Sequence, residues 1–174
     1  MTQSPPLDEQ HLQQYLLRRR FARECALQFL YQVDRTGAKD WEAEDLELFW
    51  QQVSELEDGP PQKVITEARA FAERLIRGVF EHRDVLDETI AAQAKNWTLE
   101  RMDVVDRNIL RLGAFELLFC DDVPDLASIN EAVELAKEFG HADSGSFVNG
   151  ILDQLRKEHA AGLDKQAGPG SGVC

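Results

Sequence analysis

The stretch Asp121–Glu158, DDVPDLASINEAVELAKEFGHADSGSFVNGILDQLRKE, reads as two helices joined by a short polar link. Ser128 and Glu131 have the spacing of a capping box, in which two side chains satisfy two orphan backbone N–H groups. Ile129, Ala132, Val133 and Ala136 recur at helical spacing and give the first helix one apolar face. Gly140, directly after Phe139, predicts a left-handed stop. Asp143 or Ser144 then caps a second helix with Phe147, Val148, Ile151, Leu152 and Leu155 on its apolar face. Gly150 inside that helix costs roughly 1 kcal/mol against alanine, which predicts the close approach of another backbone.

Upstream of this pair lies VVDRNILRLGAFELLFC, opened by Asp103 or Asp106 and apolar around most of its circumference. That pattern predicts a buried central helix, with Gly113 marking close helix packing. His82–Trp97 reads as a helix carried by Leu86, Ile90, Ala94 and Trp97, after which Thr98 caps a turn leading to Met102. A longer helix over about 62–80 carries Ile65, Ala68, Ala72, Leu75, Ile76 and Val79, and Gly59-Pro60-Pro61 separates it from what precedes.

The first helix runs from about Asp8 to Arg35. Its stripe begins at Leu12, Tyr15 and Leu16 and continues through Phe21, Ala22, Cys25, Ala26, Phe29, Leu30 and Val33, with Gly37 ending it. Asp40–Val53 makes a weaker helix with Leu46, Phe49, Trp50 and Val53 on one side; the alternative is a mobile acidic insert near 40–61. Strand alternation and internal repeats are absent from the sequence. The expected fold is all-α, a compact bundle of six or seven helices. Residues 1–10 are expected to be a disordered lead-in, 11–158 a single helical domain and 159–174 a flexible tail.

Charge narrows the function. The 174 residues carry a net charge of −13, which argues against a generic nucleic-acid binder. Yet Arg18, Arg19, Arg20 and Arg23 place four cations within six residues, whereas Asp40–Asp58 holds eight acids and no base. An arginine cluster on one helix is either a solvated face or an RNA contact, where guanidinium forks grip phosphates. No run of apolar residues is long enough to span a membrane, and the polar, acidic N-terminus lacks the pattern of a signal peptide. Cys25, Cys120 and Cys174 are odd in number and form no C-x-x-C pair, so the expected compartment is reducing and cytoplasmic.

Catalytic chemistry finds no support. His11, His82, His141 and His159 are scattered without metal-ligand spacing, and neither a phosphate loop nor a nucleophile elbow occurs. Cys25 sits on the apolar side of its helix and reads as a core residue. The expectation is a protein with no enzymatic activity, no cofactor and no metal.

Two segments resemble a known family. RRFARECALQFLYQ (Arg19–Gln32) resembles the N-terminal helix of the NusB transcription antitermination factors. VDRNILRLGAFELLF (Val105–Phe119), followed by VPDLASINEAVELAKEFG and SFVNGILDQL, resembles that family's C-terminal half. The resemblance covers about half of the chain. It implies an all-helical, non-catalytic bacterial protein that binds the boxA element of nascent ribosomal RNA transcripts as a single strand. It further implies a heterodimer with the small-subunit ribosomal protein NusE, within an RNA polymerase elongation complex containing other Nus factors.

By the same resemblance Arg19, Arg20 and Arg23 grip the RNA backbone, and Phe147 offers a ring on which a base stacks. Asp143 lies at the rim and moderates the charge, while Tyr31 and Asp106 face the protein partner. Read without the resemblance, Phe147 is a core residue and Asp143 a helix cap. Phe21 interrupts the arginine run, and Ser146 stands where many relatives carry a basic residue, so the isolated chain is expected to bind RNA weakly and more tightly with the ribosomal partner. The alternative is a protein-interaction module, a homodimer whose RNA surface is masked.

Overall fold

The computed structural model describes residues 8–166. These form seven α-helices and one 3₁₀ turn, without a strand: α1 (Glu9–Arg35), α2 (Ala43–Ser54), α3 (Gln62–Glu81), α4 (Arg83–Gln93), the turn (Leu99–Arg101), α5 (Val104–Phe119), α6 (Asp125–Phe139) and α7 (Ser144–Gln166). The all-α expectation is met. Of the expected lead-in and tail, residues 1–7 and 167–174 lie outside the described residues. Glu9 and Gln10 already belong to α1, and residues 159–166 continue α7. Contacts divide the chain into two compact units, one ending at Phe80 and the other beginning at Glu81.

In the first unit, Asp8 caps α1 by accepting from the Gln10 N–H at 3.2 Å. Ala22, Cys25, Ala26, Phe29 and Leu30 are buried as the stripe requires. Leu12, Tyr15 and Leu16 are not; with Leu17 they remain about half exposed or more. These residues occupy the two turns of α1 that precede its contact with α3, made through Arg18 and Glu67. Helical periodicity continues there, but no described residue buries these side chains. Past α1, Gly37 adopts φ +73°, the left-handed geometry that glycine enters without steric cost.

Residues 43–54 are a packed helix, not a mobile insert. Leu46, Phe49, Trp50 and Val53 are buried, and the Phe29 ring meets Phe49 edge-on at 5.5 Å and Trp41 at 5.6 Å. Arg69 of α3 bonds Glu47 of α2 and Glu73 one turn along its own helix, and its guanidinium lies 5.5 Å from the Trp50 ring.

The second unit is built on α5, which packs against α4, α6 and α7. Asp103 caps α5 by accepting from the Val105 N–H at 2.9 Å. Its neighbours bury Ile109, Leu110, Leu112, Ala114, Phe115 and Leu117 together with Asn108, Arg111 and Glu116. The polar three are satisfied. Arg111 holds both carboxylate oxygens of Asp87, at 2.7 and 3.0 Å, and donates to Asn108 at 3.2 Å. Ser128 donates to Glu116 at 2.8 Å. At Gly113 an added Cβ would stand 2.6 Å from Leu152 Cδ1, so the predicted close packing of α5 on α7 is present.

Five local expectations are corrected. The Ser128–Glu131 capping box does not form: α6 begins at Asp125 after Pro124, and Ser128 is an internal, buried residue directed to Glu116. Gly140 is not left-handed, with φ −95°; it is needed because a Cβ would collide with Ser144 Oγ at 2.6 Å. Gly150 has no atom within 4 Å of a built Cβ, so among the described residues no backbone approaches it. Helix α4 stops at Gln93, and Trp97 is 54% exposed instead of completing its apolar stripe. Thr98 does precede the turn to Met102, but its side chain makes no capping bond.

Candidate nucleic-acid interface

The arginine cluster of α1 is ordered by α3 within the first unit. Arg19 and Arg23 lie four residues apart and share one helix face. Both guanidinium groups lie over the Phe71 ring, at 3.7 Å for Arg19 and 5.3 Å for Arg23. The Arg19 guanidinium also lies 5.2 Å from the Tyr15 ring. A guanidinium stacked on a ring keeps its charge while losing freedom of motion, which prepares it for a fixed anion geometry. Exposure separates the members of the cluster. Arg20 is exposed, Arg19 is half-buried, and Arg23 is buried at 6%. Arg18 donates to Glu67 at 2.6 Å. Tyr31, two turns beyond Arg23, is half-buried and accepts from Arg35 at 3.2 Å through its hydroxyl.

A second constellation lies within the other unit. Asp106, Asp143 and Phe147, singled out separately from the sequence, all line one hollow of about 280 Å³. Trp97, Met102 and His141 line it too, and were not recognised as site residues. Trp97 carried the only available signal, a large aromatic beside Asn96 and Thr98 where a helix could equally well have ended. Phe147 is half-buried, presenting part of its ring, and Asp143 is exposed.

Asp106 forms the polar floor of this hollow. It is 9% exposed, and Oδ1 has no hydrogen-bond partner among the described residues. Burial pushes its carboxyl above the ordinary carboxylate range and the nearby Asp103 adds to this, while a hydrogen bond from Ser144 and the proximity of His141 oppose it. Ser144 Oγ also accepts from the His141 N–H at 2.8 Å, and His141 Nε2 lies 3.4 Å from Asp103 Oδ2. Asp106 and Asp103 thereby hold the link between α6 and α7 onto the start of α5.

Cys25 is buried at 3%, and burial, followed by the charge of Glu24, pushes its thiol up to about 12, far from a nucleophile's range. No group of three histidine, cysteine or acidic side chains among the described residues is arranged to hold a metal ion. None of the described helices is long and apolar enough to cross a membrane.

The sequence profile of the NusB family matches residues 20–157, well over half of the chain. The chain belongs to the NusB family. The NusB transcription antitermination protein of Syntrophus aciditrophicus (strain SB) is 40% identical over 159 residues, covering 91% of this chain and 92% of that protein. The NusB of Myxococcus xanthus (strain DK1622) is 47% identical over 137 residues, covering 79% and 93%. Among solved structures, NusB of T. maritima superposes with a TM-score of 0.65 at 39% identity, covering 82% of this chain and 92% of that one. A structure of NusB and NusE in complex with dsRNA gives a TM-score of 0.64 at 29% identity, covering 81% and 97%. The NusB profile takes in Arg20 and Arg23 of α1 and the Asp106–Phe147 hollow, while Arg18 and Arg19 precede it.

Proposed function

We propose that this member of the NusB family is a cytoplasmic, non-catalytic transcription antitermination factor that binds boxA-type single-stranded RNA of nascent ribosomal transcripts. It acts with the ribosomal protein NusE inside an RNA polymerase elongation complex. The observation that carries this reading is the Asp106–Phe147 hollow, where an accessible aromatic wall stands beside polar groups in a protein whose relatives are antitermination factors. Phe147 provides a stacking surface, worth roughly 1–3 kcal/mol per base. Arg19 and Arg20 meet phosphates, Arg23 supports them from beneath, and Asp143 lowers the local positive potential. Tyr31 and Asp106 act toward the protein partner, Asp106 by fixing the loop above it.

The test is fluorescence anisotropy with a labelled boxA-like single strand, a scrambled strand and a duplex of the same sequence. The duplex is included because the related complex contains dsRNA. Each is titrated with and without NusE at two salt concentrations. Selective binding strengthened by NusE, with a log–log salt slope of about −2 to −3 for three or four phosphates, is the expected result. Equal affinity for all three nucleic acids, unaffected by NusE, would refute it.

A second reading is favoured by one observation: Leu12, Tyr15, Leu16 and Leu17 form an exposed apolar patch on α1. Exposed apolar surface of this kind is suited to self-association, and a homodimer formed through it would mask neighbouring arginines. Sedimentation of Leu16→Glu against the unaltered chain separates the readings. A dimer lost on substitution, with RNA binding gained, supports the masked homodimer.

A further inference from the structure

We propose that the hollow between α1 and α3 in the first unit is a phosphate-binding subsite, in which Arg18, Arg19 and Arg74 receive one backbone phosphate of a bound RNA strand. This rests on the RNA-binding reading above and extends the contact surface from α1 onto α3. The hollow encloses about 320 Å³, ample for a phosphate group, and these three arginines line it together with Glu67 and Phe71.

Arg19 is the anchor. Phe71 fixes the plane of its guanidinium at 3.7 Å, yet its Nη1 is buried and has no hydrogen-bond partner among the described residues. An unmet buried donor on a cation is unfavourable, and a phosphate oxygen is the acceptor that such a fork fits best. Arg74 is exposed and lies one turn beyond Phe71 on α3, while Glu67 lies one turn before it, so all three residues share a face.

Glu67 supplies the internal competitor. Its carboxylate accepts from Arg18 Nη1 at 2.6 Å, occupying one fork with an acid of the protein itself. A phosphate entering the hollow exchanges this carboxylate for a ligand oxygen and meets repulsion from Glu67. The subsite is thus built with a brake, and removing the brake should strengthen binding. A purely structural role for the Arg18–Glu67 pair predicts no such gain.

The experiment uses the full chain and a fluorescein-labelled boxA-like strand, with thermal melts as controls for folding. Arg74→Ala should weaken binding roughly three- to tenfold and flatten the salt slope by about 0.7, the contribution of one phosphate on a single strand. Glu67→Gln should tighten binding by about threefold. Unchanged affinity and slope in both variants, while the unaltered chain binds RNA selectively, would overturn the subsite and leave the functional reading standing. In parallel, sodium phosphate is titrated against sodium chloride at matched ionic strength while the Arg19 Nε–Hε signal is followed by NMR. A saturable, phosphate-specific shift that Arg74→Ala abolishes supports the site even if the RNA reading fails; its absence counts against the site in either case.

Discussion

Ser128 Oγ donates to Glu116 Oε2 across 2.8 Å, joining α6 to α5 between two side chains that are almost wholly withdrawn from water. A hydrogen bond to a charged group in such a place is worth about 1.5–3 kcal/mol. Ser128→Ala should therefore lower unfolding stability by that amount, read as a shift in the urea midpoint at constant slope. A change below about 0.5 kcal/mol would mean that Glu116 is held well enough by its other contacts.

Gly113 and Gly150, both inside helices, should respond in opposite directions. Gly113→Ala places a methyl group 2.6 Å from Leu152 Cδ1 in a packed core, and overpacking of this kind costs about 1–3 kcal/mol. Gly150→Ala meets nothing within 4 Å and gains helix propensity, so it should stabilise by about 0.5–1 kcal/mol. Thermal melts of the two variants check both. A destabilising Gly150→Ala would mean that the added methyl group meets a neighbour in the free chain and that the space beside Gly150 is not open.

Asp143 is exposed on the lining of the hollow that holds Phe147. Replacing it with asparagine removes a negative charge without changing shape, and exposed charge interactions are worth about 0.2–1 kcal/mol. Asp143→Asn should raise RNA affinity by about two- to fivefold in anisotropy titrations, most visibly at low salt. Affinity that does not move with this substitution would place the RNA path elsewhere.

Trp97→Ala separates binding from folding. The ring is 54% exposed, so its loss should change stability by no more than about 0.5 kcal/mol. If the ring walls a base-binding hollow, the same variant should weaken RNA binding by about fivefold or more, the lower end of a stacking contribution. Intrinsic fluorescence quenched by RNA in the unaltered chain gives an independent check.

Cys25 links stability to alkaline pH. Burial raises its pKa from 9.0 to about 12, so between those values the unfolded chain has lost a proton that the native chain keeps. Stability contributed by the neutral thiol is fully present below about 9 and falls as pH rises toward 12. Urea melts at pH 8 and pH 10 should show a decline that is smaller in Cys25→Ala. Equal slopes in the two proteins would mean that the thiol titrates normally.

The parts of the fold that were legible in the sequence are those set by local chemistry. The Asp103 cap, the break at Gly59-Pro60-Pro61 and the apolar periodicity of α3, α5 and α7 each depend on neighbours a few residues away. Ser128 shows where such reading stops: its spacing to Glu131 satisfied the capping pattern, but Glu116, twelve residues earlier on another helix, captured the hydroxyl. Leu12 and Tyr15 fit the stripe of α1 equally well without being covered, because periodicity reports which residues share a face and not whether anything meets it. At the candidate site, Asp143 and Phe147 were accessible through family resemblance. Arg74 and Trp97 were not, since their significance comes from a ring and a carboxylate on the same face of α3, and from the early end of α4.

The acids of α2 are carried on a helix that Phe49 and Trp50 hold fast and that Arg69 ties to α3 through Glu47. Their field is consequently stationary. A polyanion diffusing toward the first unit meets repulsion of fixed direction, which biases productive encounters toward the arginines of α1 and disfavours approach over α2. Its effect belongs to association kinetics: neutralising Glu44 on α2 and Glu55, the residue that caps its end, should quicken capture at low ionic strength and leave the lifetime of the bound complex almost unchanged.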